Sequence, residues 1–254
     1  MTNTTDLTVL LKRLKLGGIA PSLPERLSLA RRDHLDYVAF LEILLLDEIA
    51  RRDQRRLERR LERAGFEQIC RLEDFDWSVP LTLDRRMLDE IFTLRFLDRR
   101  EHCLFVGPVG VGKSFLVQAL GYAAARSGHS VVFTRADTLL KTFAQARADR
   151  SLDKTVRRYL APDLLIVDDF GLRRLSAQES SDLYELIIER HTRASFAITS
   201  NRAVDEWLGL FDDPILGNSA LDRLANASYQ LTVDGPSYRA KLAPRHRRVD
   251  DVTG

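Results

Sequence analysis

Cysteine is nearly absent, with only Cys70 and Cys103 in 254 residues. Neither has the spacing of a metal site, and Cys103 falls inside an apolar run, so a disulfide framework is excluded and free thiols in a reducing compartment are expected. Charge of one sign is also lacking. Lys and Arg total 39 against 37 Asp and Glu, a formal net charge of +2, so any attraction to nucleic acid must come from local basic faces. Long apolar runs are missing as well: the most apolar stretch, residues 37–50, is broken by Glu42, Asp47 and Glu48, too short and too charged to cross a bilayer. Residues 1–15 lack the apolar core of a secretory signal, and the expectation is a cytoplasmic protein with no membrane partner. No internal repeat or low-complexity segment is visible. What the chain does have is an ordinary 44% hydrophobic content, enough for a real core.

Two rhythms divide it. Up to about Leu72 the pattern is helical: Leu7, Leu10, Leu11 and Leu14 recur at helical spacing and stop at Gly17-Gly18, a second helix is expected from Leu23 to Arg32, and a third from about Asp36 to Arg63. The mixed charges of residues 53–63 read as a solvated helix face laced with ion pairs, in preference to a DNA-binding face. Beyond Leu72, short apolar runs at 102–106, 130–134, 164–167, 196–199 and 229–233 alternate with helical stretches. That alternation predicts a five-stranded parallel sheet sandwiched by helices. Ser176 and Glu179 form a capping box opening one of those helices. The expected organisation is a small all-helical N-terminal domain (1–71), an α/β domain (72–240) and a basic, mobile tail (241–254).

Residues 107–114 read Gly107-Pro108-Val109-Gly110-Val111-Gly112-Lys113-Ser114, a complete G-x-x-x-x-G-K-[ST] loop between a strand and a helix that also takes in Phe115. Glycines let backbone N–H groups turn inward around a polyphosphate, and the following helix adds its positive end. Lys113 can reach the β- and γ-phosphates, and Ser114 offers a hydroxyl to Mg²⁺. Further on, Leu164-Leu-Ile-Val is followed by Asp168-Asp169, two acids carried on a buried strand to the edge where α/β sheets bind ligands. Asp168 suits Mg²⁺ held through its water shell, and Asp169 suits polarising an attacking water.

Here the chain resembles the AAA+ ATPases, and over nearly its whole length it is similar to the IstB family of insertion-sequence transposition helpers, relatives of the DnaC helicase loaders. The residues that carry this are the phosphate loop, Asp163 to Gly171, Ala197-Ile-Thr-Ser-Asn201, Asp213-Pro-Ile-Leu216, Ala220-Leu-Asp-Arg-Leu224 and Gly235-Pro-Ser-Tyr-Arg239. Leu72 to Asp76, Leu83 to Arg86 and the leucine-rich start through Ala20 also fit. The resemblance implies a P-loop AAA+ domain using ATP or ADP with Mg²⁺. It makes Asn201 a sensor lying between the P-loop strand and the Asp168 strand, and Arg223 an arginine finger reaching a neighbouring subunit's γ-phosphate. By itself, Asp222-Arg223 is equally a surface pair. Phe75 is placed to pack on the adenine or to serve as a core phenylalanine. Many AAA+ members have Glu where this chain has Asp169, one methylene shorter, which argues against rapid hydrolysis.

Between the second and third strands, Lys141, Arg147, Arg150, Lys154, Arg157 and Arg158 outnumber the local acids. Charge alone allows a solvated face; in the related initiators and loaders this insertion faces nucleic acid, which implies sequence-independent contact with duplex DNA phosphates. The implied partners are that DNA, a transposase engaging the N-terminal helices, and further copies of the chain sharing ATP at subunit junctions. A helicase loader, a small-molecule P-loop kinase and a nucleotide-locked DNA scaffold are the other readings.

Overall fold

The structure, a computed structural model, describes residues 4–238; Arg239 and the expected tail at 241–254 lie outside the described residues. The chain divides into two compact units, 1–59 and 60–254.

The first unit contains α1 (Thr4–Arg13), α2 (Ile19–Arg32) and most of α3 (Tyr37–Ala64). Helix α2 starts at Ile19 rather than Leu23 because Pro21 falls in the first turn, where a missing N–H leaves no bond unmade. Arg26 grips Asp47 with two hydrogen bonds of 2.7 and 3.0 Å. Buried Glu48 accepts from Arg51 and Arg52, and the Arg51 bond holds its carboxyl below the ordinary range. The apolar stripe is not used up here: Leu7, Leu10, Leu14, Tyr37, Val38 and Leu41 are all exposed.

In the second unit, α4 (Arg85–Phe92) and α5 (Arg95–Arg99) precede β1 (His102–Val106), α6 (Lys113–Arg126) and β2 (Val131–Arg135). Then follow α7 (Ala136–Ala148), α8 (Leu152–Leu160), β3 (Leu164–Phe170), α9 (Ala177–Arg190) and β4 (Ser195–Ser200). Last come α10 (Pro214–Ala225) and β5 (Ser228–Thr232). The five strands make one parallel sheet in the order β2-β3-β4-β1-β5. Every residue of β1 and β4 is buried, as the continuous apolar runs require of strands covered on both faces. Leu104, Leu165, Val167, Phe196 and Ile198 pack with Leu139, Phe143, Leu186, Trp207 and Leu224 in the main core. Because β4 separates β1 from β3, the ends of three adjacent parallel strands deliver the phosphate loop, the two acids and Asn201 to one edge.

The expected capping box is present at the start of α9. Ser176 Oγ accepts from the Glu179 N–H, and the Glu179 carboxylate accepts from the Ser176 N–H. Arg173 bonds the same carboxylate and holds it down at about 2. At the far end of that helix, Arg190 is fully buried; its guanidinium donates to the carbonyls of Tyr159, Pro162 and Ser195, and burial lowers its pKa to about 9 against the opposing charge of Asp163.

His102, at the start of β1, is 1% exposed, and its Nδ1 accepts the Phe196 N–H. Burial, reinforced by the charges of His191 and Arg190, lowers its pKa from 6.5 to about 4. The unfolded chain therefore binds a proton that the folded chain refuses between those values. Stability from this source is complete above pH 6.5 and is lost as the pH falls toward 4. From pH 7 to pH 5 the expected loss is about 2 kcal/mol. His102→Asn, whose carbonyl can accept the same N–H, should remove that part of the acid sensitivity in thermal melts; an unchanged slope of Tm against pH would count against the assignment.

Candidate nucleotide site

The phosphate loop leaves β1 at Val106 and enters α6 at Lys113. Gly107, at φ 146°, lies so close to the next chain segment that a Cβ would stand 1.9 Å from the Val233 carbonyl oxygen. Gly112, at φ 98°, is the residue before α6, and no side chain caps the helix start. Glycine at this position has no side chain to occupy the helix start, and a helix N-terminus is where an anion is received. Buried Val111 anchors the loop while Pro108 and Val109 stay exposed. Lys113 Nζ donates to the carbonyls of Gly107 and Pro108, each at 2.7 Å, which lays the ammonium across the loop.

The acids come from β3, which runs on through Phe170 instead of ending at Val167. Its pairing with β4 slips between Val167 and Phe170, so a bulge sits at Asp168-Asp169. Asp168 is 1% exposed and its Oδ1 accepts from Ser114 Oγ at 2.9 Å. The Thr199 hydroxyl donates to the same oxygen. Burial pushes the Asp168 carboxyl above its ordinary pKa, as does the neighbouring Asp169; the two hydroxyls and Arg135 oppose that rise. One carboxylate touching one hydroxyl beside a phosphate loop is a fitting Mg²⁺ donor set, since that ion takes few protein oxygens and fills its shell with phosphates and water. Asp169, half-buried at φ 56°, presents the second carboxylate.

Next to the loop is an apolar pocket lined by Phe75, Val79, Leu81, Val111, Phe115 and Tyr238. Phe75 packs against Trp77 and Phe115, with ring centroids 4.3 and 5.4 Å away, and a Cβ on Gly112 would touch its ring. Tyr238 is tied to the loop by its own N–H, which donates to the Gly110 carbonyl at 2.9 Å.

Asn201 is exposed immediately beyond β4. Arg223, partly buried on α10, is folded onto its own helix, bonding the Ser219 carbonyl and hydroxyl at 2.8 and 2.7 Å. In the insertion between β2 and β3, Lys141, Arg150, Lys154, Arg157 and Arg158 are exposed on α7, α8 and the turn joining them. Arg147 differs: it makes two hydrogen bonds, of 2.6 and 2.9 Å, to buried Asp182 of α9. That guanidinium joins two helices and is not part of the free basic face.

Sequence reading did not single out Thr199, Tyr238, Trp77 or Arg135. Tyr238 sat within a segment that signalled the family but carried no role. Arg135 pairs with Asp168 in the sheet register and meets Glu67 at 2.7 Å, a juxtaposition that no spacing along the chain reveals.

Fold and site together define a P-loop ATP-binding protein of the AAA+ type. The chain belongs to the IstB-like ATP-binding protein family, whose model matches residues 9–245. It is 44% identical over 235 residues to a Mycobacterium tuberculosis protein named for ATP binding in an insertion sequence, covering 92% of this chain and 94% of that one. It is 34% identical over 236 residues to the IS21 ATP-binding protein of Pseudomonas aeruginosa, covering 93% and 89%. Among solved structures, DnaI superposes with a TM-score of 0.54 at 18% identity, covering 66% of this chain and 89% of that one. The DnaC helicase loader gives 0.52 at 19%, covering 58% and 86%. AMPPCP-bound DnaA from Aquifex aeolicus gives 0.51 at 17%, this chain spanning about half of it, 49%. These likenesses are of fold. No helix among the described residues is long and apolar enough to cross a membrane.

Proposed function

We propose that the chain is an ATP-dependent, DNA-binding helper of insertion-sequence transposition, assembling with further copies of itself on duplex target DNA and engaging a transposase. The observation that supports this most is the meeting of Ser114 with Asp168 at the foot of the phosphate loop, in a chain whose relatives are named as insertion-sequence ATP-binding proteins.

The chemistry follows from the groups present. Lys113 exchanges its two carbonyl partners for β- and γ-phosphate oxygens, and the start of α6 takes the remaining charge. Phe75 and Tyr238 hold the base in the apolar pocket. Ser114 and Asp168 would hold Mg²⁺, which when bound would neutralise phosphate charge. Asp169 accepts the proton of the attacking water and Asn201 orients that water. Arg223 completes a neighbour's site, where it offsets charge that develops on the γ-phosphate. Nucleotide is then an assembly switch, made at subunit junctions and released by hydrolysis. The exposed leucines and Tyr37 of the N-terminal helices suit the transposase contact.

DNA contact is assigned to Lys141, Arg150, Lys154, Arg157 and Arg158, without Arg147. Neutralising Lys154, Arg157 and Arg158 should weaken ATP-dependent binding of duplexes of unrelated sequence about equally. It should also flatten the plot of log affinity against log salt by roughly one unit per lost phosphate contact. Fluorescence anisotropy across a salt series measures both. An unchanged slope moves the DNA site elsewhere, and DNA binding that ignores ATP defeats the assembly-switch reading.

A further inference from the structure

We propose that the Thr199 hydroxyl is the positioning group that sets both acids of the site, an inference that rests on the ATPase reading above.

The β3–β4 ladder pairs Val167 with Ile198 and Phe170 with Ser200, so Asp168 and Asp169 together stand opposite the single residue Thr199. A bulge of this kind leaves a backbone group without its ladder partner and turns a side chain to a new direction. Here both consequences are taken up by one side chain. The Asp169 N–H donates to Thr199 Oγ1 at 2.9 Å, and Thr199 Oγ1 donates its own proton to Asp168 Oδ1. A hydroxyl has one proton to give and lone pairs to accept with, so both roles fit one oxygen. Thr199 is completely buried, which keeps water from substituting for either bond.

Each bond acts on a different acid. The one to Oδ1 fixes the direction of the carboxylate that faces Ser114. The one from the Asp169 N–H holds that residue at φ 56°, a left-handed conformation that non-glycine residues rarely adopt and that Asp tolerates better than most. One buried oxygen therefore couples the aim of the metal-side acid to the backbone of the water-side acid. Thr199 is shut off from the surface and acts through the two aspartates it bonds.

The test compares full-length Thr199→Val, which keeps the shape and loses both bonds, with Thr199→Ser, which keeps both bonds and loses a methyl. Without Mg²⁺, fluorescent-ATP affinity should stay within about threefold of wild type in both, because Lys113 and the loop are untouched. With Mg²⁺, the valine variant should show turnover lowered by about 10- to 100-fold and a raised Mg²⁺ requirement, the size expected when a group orienting a metal-binding carboxylate is removed. Serine should stay within about threefold of wild type. Wild-type turnover and Mg²⁺ requirement in the valine variant would overturn the proposal, as would an equal loss in the serine variant, which would make the effect one of packing. If valine prevents folding, Thr199→Cys decides, since a thiol fills the site yet donates poorly; it should lose activity, and serine-like activity there overturns the idea. A wild-type protein that turns over no ATP refutes the ATPase reading alone. The gain in nucleotide affinity on adding Mg²⁺ still reads Thr199 in that event: it should be lost in the valine variant and kept in the serine variant, and a gain unchanged by valine overturns the proposal.

Discussion

Lys113→Ala should lose ATP binding, while Asp169→Asn should bind ATP normally and fail to turn it over. On the function proposed above, the first residue holds phosphates. Its ammonium is buried and spans the loop between the Gly107 and Pro108 carbonyls, positioned to exchange them for charged oxygens. Losing a charge-assisted contact of that kind costs about 2 to 3 kcal/mol, a fall in affinity of about 30- to 150-fold. On that same proposed function Asp169 acts only in the chemistry, and removing a general base lowers turnover by about 10²- to 10⁴-fold. Asparagine is the informative replacement because the left-handed backbone at φ 56° accepts Asn as readily as Asp, so lost turnover cannot be blamed on a distorted strand. The same backbone offers a physical reason for Asp over Glu at this position, since the shorter acid is enriched in that conformation. Equilibrium binding and phosphate release, measured on the same preparations, check both halves. Wild-type nucleotide affinity in Lys113→Ala would sink the phosphate-loop assignment.

The next largest effect is expected at Arg223, and it should appear only in assemblies. Among the described residues of its own chain this guanidinium bonds only its neighbour Ser219 on the same helix, through Nη1, so Arg223→Ala should leave folding and ATP binding close to normal. If the side chain swings out to a neighbour's γ-phosphate, turnover should fall by about 10³-fold or more, the range measured for arginine fingers. A mixing experiment separates a shared site from a self-contained one. Arg223→Ala subunits keep Asp169, and Asp169→Asn subunits keep Arg223, so in a random equal mixture about a quarter of head-to-tail junctions regain both intact groups. Neither preparation alone should be active, and activity should return on mixing. No recovery at any ratio, with mixed assembly confirmed by crosslinking, would place Arg223 outside the site.

The chain's order of residues was enough for the phosphate loop, the paired acids on a buried strand, the parallel sheet and the capping box at Ser176. Each is a local signal: a fixed spacing, an apolar run or a turn residue whose physics operates within a few positions. With the family resemblance it was also enough to place Asn201 at the end of the strand between β1 and β3. Only the tertiary structure decided how the two acids are aimed, because the bulge at Asp168-Asp169 arises from register against β4 and is closed by Thr199, some thirty positions away. It likewise removed Arg147 from the basic face, through an ion pair with Asp182 on another helix, and joined Tyr238 to the loop at Gly110. Composition counts charges, but whether a charge is free for a phosphate or spent on a neighbour depends on which elements the fold packs together.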